Sequence, residues 1–269
     1  MDLAYIQQNW KNEMNVDLSE SIRAWDSVAE DYVYDRSVSF EKDDFLKYLQ
    51  KKITFTKDME VLDVGCGAGA YSLAMADKVK RVAGVDFSPK MIELARRSAA
   101  EKGITNVEFL ERDWYGCPGE EFKGKFDLVF AHTTPAIADY FSLIKMMEAS
   151  RKYCVLCKPV RRTDEVFGQL RKLAGQEKSN NDVSAAFTFD TIWGHGFNPE
   201  VSYQKTLWRS KKTVSEAKEW YLGRLKGSCV LDERTEAEIS RYLEEISING
   251  MVTETTHTTL ITFFWEVYE

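Results

Sequence analysis

Within VLDVGCGAGAYSLAMA, residues 61 to 76, one acid and three glycines fall within seven positions: Asp63, Gly65, Gly67 and Gly69. A β-branched, apolar run leads into them and helix formers follow, which puts the glycines at a strand-to-helix turn. Glycine there permits positive φ and leaves no Cβ between backbone and ligand. Such a turn serves nucleotide-like ligands, and Gly65, Gly67 and Ala70 also satisfy the permissive dinucleotide fingerprint. Asp86 stands 21 residues beyond Gly65, the spacing at which an acid receives both ribose hydroxyls of an adenosine. Ribose binding fits NAD and S-adenosylmethionine alike. Asp63 discriminates between them: a carboxylate at the mouth of the turn repels a pyrophosphate but suits an ammonium and a sulfonium. The expected ligand is therefore S-adenosylmethionine.

These residues need a sheet beneath them. From residue 59 the pattern alternates strands with helices, and the candidate strands are 59–64, 81–86, 106–111, 125–131 and 152–158. Between them lie helical patterns such as SPKMIELARRSAAEKG, where Ser88 suits an N-cap, Pro89 the first helical position and Gly103 the stop. Strands alternating with helices predict an α/β fold with a parallel sheet covered on both faces, a three-layer αβα sandwich. Ahead of it, residues 1–55 read as a helical cap, with Ile22, Trp25, Ala29 and Tyr32 at helical spacing and Phe45, Leu46 and Leu49 marking a further helix. Beyond residue 160 a helix is expected at about 183–195, a strand at 200–208 and a last strand at 259–267. Two amphipathic helices separate those strands, the first opening with a Thr213–Glu216 capping box and the second carrying Ile239, Tyr242, Leu243 and Ile246. The expected division is a cap over 1–55, an α/β core over 56–210, a helical insertion over 211–252 forming a substrate wall, and a final core strand within 253–269.

Read together, VLDVGCGAG, GVDFSPKMIELAR, FLERDW and FDLVFAH resemble the successive motifs of the class I, Rossmann-like S-adenosylmethionine-dependent methyltransferases, and in particular the small-molecule type. The resemblance is strong over about residues 56–160 and holds only in outline elsewhere. It implies sheet order 3-2-1-4-5-7-6 with the last-formed strand antiparallel. It also implies that Gly65, Cys66 and Gly67 hold the methionine portion of the cofactor, with Asp63 near its ammonium group. Asp86 would take the ribose hydroxyls, Phe87 and Met91 would flank the adenine, and Asp113 with the backbone of Trp114 would meet the adenine amino group. Ala131 and His132 would border the methyl-transfer site. The helix carrying Trp25, Ala29 and Tyr32 is similar to a lid folded over the cofactor.

Transfer from a sulfonium is an in-line displacement with an already activated leaving group, so the protein must chiefly hold the acceptor in line in a dry pocket. His132 is the candidate base, since an ordinary imidazole titrates near neutrality. Trp25, Tyr32, Tyr34 and Tyr140 are candidate acceptor contacts. Within the basic group Arg151, Lys152, Lys158, Arg161 and Arg162, the last three follow the fifth strand at the ligand-facing edge and are candidates to receive a carboxylate or phosphate on the acceptor, against a solvated charged rim. Neither an Asn/Asp-Pro-Pro-aromatic motif nor a Pro-Cys nucleophile stands where Ala131-His132-Thr133-Thr134 lies, which disfavours amino-group methylation of adenine or glutamine and cytosine C5 chemistry.

A net charge of −7 speaks against a surface built for nucleic acid, and a small-molecule acceptor is expected. The start, MDLAYIQQNWKNEM, lacks the apolar core of a secretory signal, and no apolar run is long enough to span a bilayer; with five scattered cysteines this predicts a cytoplasmic protein with reduced thiols. Cys154 and Cys157 form a C-x-x-C, but strand alternation turns them to opposite faces, so two core thiols and no metal site are expected. RNA or protein methylation, a nicotinamide-dependent oxidoreductase and a non-catalytic S-adenosylmethionine binder are the alternatives. The acceptor atom and the oligomeric state are left open.

Overall fold

The computed structural model describes residues 2–11, 17–33, 38–176 and 181–267. Its strands are β1 (Glu60–Val64), β2 (Arg81–Asp86), β3 (Val107–Glu111), β4 (Phe126–His132), β5 (Ser150–Asp164), β6 (Glu200–Thr213) and β7 (Met251–Glu266). They form one sheet in the order β3-β2-β1-β4-β5-β7-β6. β1 to β5 run parallel, and β7 inserts antiparallel between β5 and β6. The three-layer fold, its strand order and its antiparallel strand are those the resemblance implied.

The central strands alternate between two hydrophobic layers. Leu62, Val64, Ala83, Val85, Val129 and Ala131 pack in one, and Val61, Val82, Leu128 and Phe130 in the other. The first layer is closed by α1 (Leu3–Asn9), α6 (Tyr140–Ala149) and α8 (Asn181–Gly194), through Ile6, Leu143, Met146 and Ile192. The second is closed by α3 (Asp44–Lys52) and α4 (Ala70–Met75), through Phe45, Leu46, Leu49 and Met75. Cys154 belongs to the first layer and Cys157 to the second, and burial pushes both thiols up, Cys157 to about 12.

Local signals act where the sequence puts them. In α5 (Pro89–Glu101) the Ser88 hydroxyl accepts from Met91 N at 3.1 Å, and Gly103 turns the chain out at φ +66°. α9 (Val214–Lys226) begins with the reciprocal Thr213–Glu216 box, Glu216 N to Thr213 Oγ1 at 3.3 Å and Thr213 N to Glu216 Oε2 at 2.8 Å. α10 (Glu233–Glu245) follows, and both helices lie between β6 and β7.

The last three strands exceed the sequence expectation. β5 continues to Asp164, β6 to Thr213, and β7 begins at Met251. The alternation in 251–258 is masked because its inward positions are polar: Glu254, Thr256 and Thr258 are buried. Each has partners. Glu254 accepts from Val166 N, Phe167 N and Tyr221 Oη at 2.8, 2.9 and 3.1 Å, Thr256 Oγ1 donates to Asp164 at 2.7 Å, and Thr258 Oγ1 to Val160 O at 3.1 Å. Glu254 thereby fixes the start of α7 (Phe167–Leu173).

The cap helix α2 (Leu18–Ser27), extended by a 3-10 turn at Ala29–Tyr32, crosses α9 closely. A Cβ on Gly223 would stand 2.9 Å from Ala24 Cβ, so only glycine allows this approach. Trp25 meets Trp220 edge-on, with centroids 5.3 Å apart. Asp26 accepts from Ser88 Oγ, which ties α2 to the start of α5.

Candidate functional site

The turn from β1 to α4 places Gly65, Gly67 and Gly69 at φ +72°, +52° and +82°. A Cβ on Gly65 would fall 2.0 Å from Thr134 Oγ1, and one on Gly69 would fall 2.7 Å from the Phe109 ring. At Gly67 the nearest atom is Met91 Sδ at 3.8 Å, so there it is the left-handed backbone that requires glycine. Gly65 N and Cys66 N donate to Val85 O at 2.8 and 3.0 Å, which clamps the turn to the end of β2. Cys66 is buried, and its thiol is pushed well up by that burial.

Asp63, buried at the end of β1, accepts from Ser72 Oγ at 2.7 Å and forms no ion pair among the described residues. Burial lifts its carboxyl to about 7, a rise that the Ser72 hydrogen bond opposes and the nearby Asp86 charge reinforces. Asp86 accepts from Gly67 N and Ser88 N, both at 2.9 Å, while burial raises its carboxyl. A buried acid and a half-buried one, without a cationic partner among the described residues, lie beside a positive-φ backbone turn, an arrangement that fits a ligand bearing positive charge and hydroxyl donors.

From Asp86 a narrow slot of about 40 Å³ runs past Phe87 to Asp113 and Trp114, covered by Leu18, Ser21 and Trp25 of α2. The Asp113 carboxylate accepts from Tyr115 N and Gly116 N, both at 3.1 Å, which shapes the turn after β3. Trp114 is buried and its indole donates to Ser142 O at 3.1 Å, so the side chain serves the core while its backbone borders the slot.

In the other direction the turn opens into a cleft of about 790 Å³. Asp63, Gly65, Cys66, Gly67, Asp86, Phe87, Met91 and His132 line its sheet side, and Trp25 and Tyr32 its cap side. The structure thus assembles residues spread from 25 to 132 around one space. His132 packs against Phe45 and Tyr71, with ring centroids at 4.4 and 4.5 Å, and its Nδ1 lies 3.2 Å from Thr133 Oγ1. Burial drives its pKa down to about 3. The imidazole is therefore neutral at physiological pH, able to accept a hydrogen bond but weakly basic, unlike the near-neutral titration expected from sequence.

Three expected site residues lie elsewhere. Ala131 is fully buried within β4 and faces the core layer, because alternation turns its neighbour His132 to the cleft instead. Tyr140 sits on α6 and its hydroxyl lies 3.1 Å from His195 Nε2, outside the cleft lining. Arg161 adopts φ +49° at an irregularity in the β5–β7 ladder, its backbone N donating to Asp182 at 2.9 Å, and Arg162 takes the place on the cleft wall. Tyr34 lies outside the described residues.

The sequence reading expected a substrate wall from the insertion at 211–252 but did not single out Trp208 of β6 or Arg224 of α9, which line the cleft together with Trp220. Their separation in sequence hides the grouping, although the ITFFWEV and EWYLGR patterns mark the elements that carry or neighbour it. Asp43 and Tyr71 were also missed; Tyr71 Oη donates to Asp43 at 3.3 Å and lies 3.5 Å from His132 Nε2.

A family model described as a methyltransferase domain matches residues 55–220. Over 127 residues the chain is 28% identical to a demethylmenaquinone methyltransferase of Lactococcus lactis, covering 45% of this chain and 50% of that protein. Over 49 residues it is 53% identical to the human tRNA (uracil-5-)-methyltransferase homolog A, covering 18% of this chain and 8% of that protein. The chain thus spans half or less of the length of these curated relatives. Among solved structures, the [4+2]-cyclase SpnF superposes with a TM-score of 0.54 at 14% identity, covering 93% of this chain and 96% of that one. At that identity the likeness concerns the fold alone.

Proposed function

The chain belongs to the methyltransferase-domain family, and on that premise we propose that it transfers a methyl group from S-adenosylmethionine to a small organic acceptor. The observation that carries this reading is the continuity of one cleft from the glycine turn to the α2 and α9 walls. Its volume of about 790 Å³ falls within the span of small-molecule sites, about 300–1,000 Å³. When bound, S-adenosylmethionine supplies a methyl group already activated by a sulfonium. The chain's residues then have four tasks.

Gly65 and Gly67 offer backbone without side-chain interference, and Asp63, once ionised, faces the ammonium group. Asp86 keeps acceptor capacity beyond its two backbone partners for the ribose hydroxyls. Phe87 and Asp113 border the adenine slot, with α2 as its cover, and Met91 lines the adjoining cleft. His132, neutral and held by Phe45 and Tyr71, accepts a hydrogen bond from the acceptor and so orients it in line with the methyl carbon.

The relative named for tRNA methylation leaves an RNA acceptor as the competing outcome. The cleft lining includes Asp31, Asp43 and Asp44 as well as Lys42, which is poor electrostatics for a phosphate backbone. Five free cysteines suit a reducing compartment, and we place the protein in the cytoplasm. Among the described residues no helix is long and apolar enough to cross a membrane.

The test is transfer of isotope-labelled methyl from S-adenosylmethionine into a cell extract separated into low-mass, RNA and protein fractions. Label in the low-mass fraction supports the proposal. Label confined to RNA or protein refutes the small-molecule acceptor, and no label anywhere, despite cofactor binding, refutes transfer itself.

A further inference from the structure

The cleft wall formed by β5, β6 and α9 carries two guanidinium groups with different partners. Arg162 is matched within the protein: its Nε lies 2.8 and 2.9 Å from the two Asp164 oxygens, and its Nη2 lies 2.6 Å from Asp164 Oδ1. It also lies over Trp208, 5.4 Å from the ring centroid. Arg224 is held only by aromatic faces, 4.0 Å over Phe167 and 5.1 Å over Trp220. Among the described residues no carboxylate, carbonyl or hydroxyl hydrogen-bonds to it. The acid whose charge reaches it, Asp164, is engaged by Arg162 and by Thr256 Oγ1.

Arg224 is half-buried on the cleft wall, so the five donors of its guanidinium, which meet no protein acceptor among the described residues, are offered to the cleft. Burial and the Arg162 charge beside it lower the Arg224 pKa to about 10, which still leaves it cationic at neutrality. Both arginines line the cleft, together with Trp25, Trp208 and Trp220. Beside the glycine turn the lining carries Asp63 and Asp86, while Asp31, on the side of Trp220, is paired with Lys212 at 2.8 Å. Among the described residues this leaves the Arg224 guanidinium as the charge of that wall without a protein acceptor, where the second substrate belongs.

We propose that the methyl acceptor is a planar organic acid, its ring lying against the tryptophan wall and its anionic group bound by the Arg224 guanidinium. This rests on the reading of the cleft as a methyltransferase site and narrows the acceptor to a class. A planar fork of donors matches carboxylate and phosphate oxygens in pairs, and the stacked aromatic rings fix its orientation. Arg162, already neutralised by Asp164, positions Trp208 and does not bind the anion.

The experiment titrates the full-length protein, saturated with S-adenosylhomocysteine, with indole-3-acetate and its neutral isostere indole-3-acetamide, and separately with benzoate and phenyl phosphate. The acetate is expected to bind at least about 10-fold more tightly than the acetamide, the scale of hydrogen bonds to a charged group. Arg224→Gln should bring the two within about 2-fold while S-adenosylhomocysteine affinity holds, and Arg224→Lys should keep part of the preference. Equal binding of acid and amide, absence of binding by every acid, or a preference that survives Arg224→Gln in a protein with native melting overturns the proposal. The benzoate and phenyl phosphate arms tell a carboxylate from a phosphate ester. Failure of S-adenosylhomocysteine to bind would instead strike the methyltransferase reading, because the acid preference can be measured without it.

Discussion

Replacing Asp86 by Asn tests the assignment on which cofactor recognition turns. The carboxylate accepts from Gly67 N and Ser88 N, each at 2.9 Å, and each oxygen retains a lone pair for a ribose hydroxyl. Asn keeps the shape but removes the charge, and it turns one acceptor into a donor facing either a backbone N–H or a ribose hydroxyl. Hydrogen bonds to a charged group contribute about 1.5–3 kcal/mol, which at about 1.4 kcal/mol per decade is a loss of about 12- to 140-fold in affinity. Isothermal titration with S-adenosylhomocysteine reads this directly. The decisive comparison uses a 2′,3′-dideoxy analogue of that ligand. If Asp86 acts through the ribose hydroxyls, wild type and variant bind the analogue with nearly equal affinity, because the interaction has been removed from the ligand side. A variant that weakens both ligands alike acts through the Gly67 turn, and one that weakens neither shows that the ribose is held elsewhere.

Four further outcomes follow from the same geometry. Asp63, raised from 3.8 to about 7 by burial, binds its proton more tightly folded than unfolded, so it lowers stability as pH climbs through that window. Because a bound ammonium favours the ionised form, S-adenosylhomocysteine affinity should increase about 10-fold between pH 6 and pH 8, and Asp63→Asn should flatten that dependence. His132→Gln should leave cofactor affinity unchanged and lower kcat. With the imidazole neutral above about 3, the wild-type rate profile should show no inflection from this residue near pH 6.5, and one that vanishes in the variant would contradict the buried neutral ring. Gly65→Ala, which drives a Cβ to 2.0 Å from Thr134 Oγ1 at φ +72°, should cost about 1–3 kcal/mol in denaturant melts. Adding Thr134→Ala should recover only part of it, since the backbone strain stays. Gly223→Ala should push α2 away from α9 at the 2.9 Å contact with Ala24, weakening cofactor binding because α2 covers the adenine slot; unchanged affinity would show that the cover plays no part.

Wherever a signal is local, the sequence alone determined the outcome. The glycines that follow Asp63 report a strand-to-helix turn because the left-handed backbone they adopt is a property of the residue itself. Ser88, Pro89 and the Thr213–Glu216 box mark helix starts because capping joins residues three apart. The sheet order was legible through the resemblance of consecutive motifs, each lying on one strand or turn. What the tertiary structure decided is everything that depends on residues distant in the chain. The β7 extension is hidden because Glu254, Thr256 and Thr258 face inward as polar groups whose partners lie in β5, α7 and α9. The Arg161 irregularity decides that Arg162 and not its neighbour lines the cleft, a choice between adjacent candidates that depends on the strand ladder. His132 becomes a neutral hydrogen-bond acceptor because Phe45 and Tyr71, brought from other elements, exclude water from it. Arg224 gains its role because α9 folds back over the sheet and leaves a guanidinium without a protein acceptor. Backbone conformation is encoded nearest the residue that adopts it, whereas desolvation and charge pairing are set by whatever the fold packs alongside.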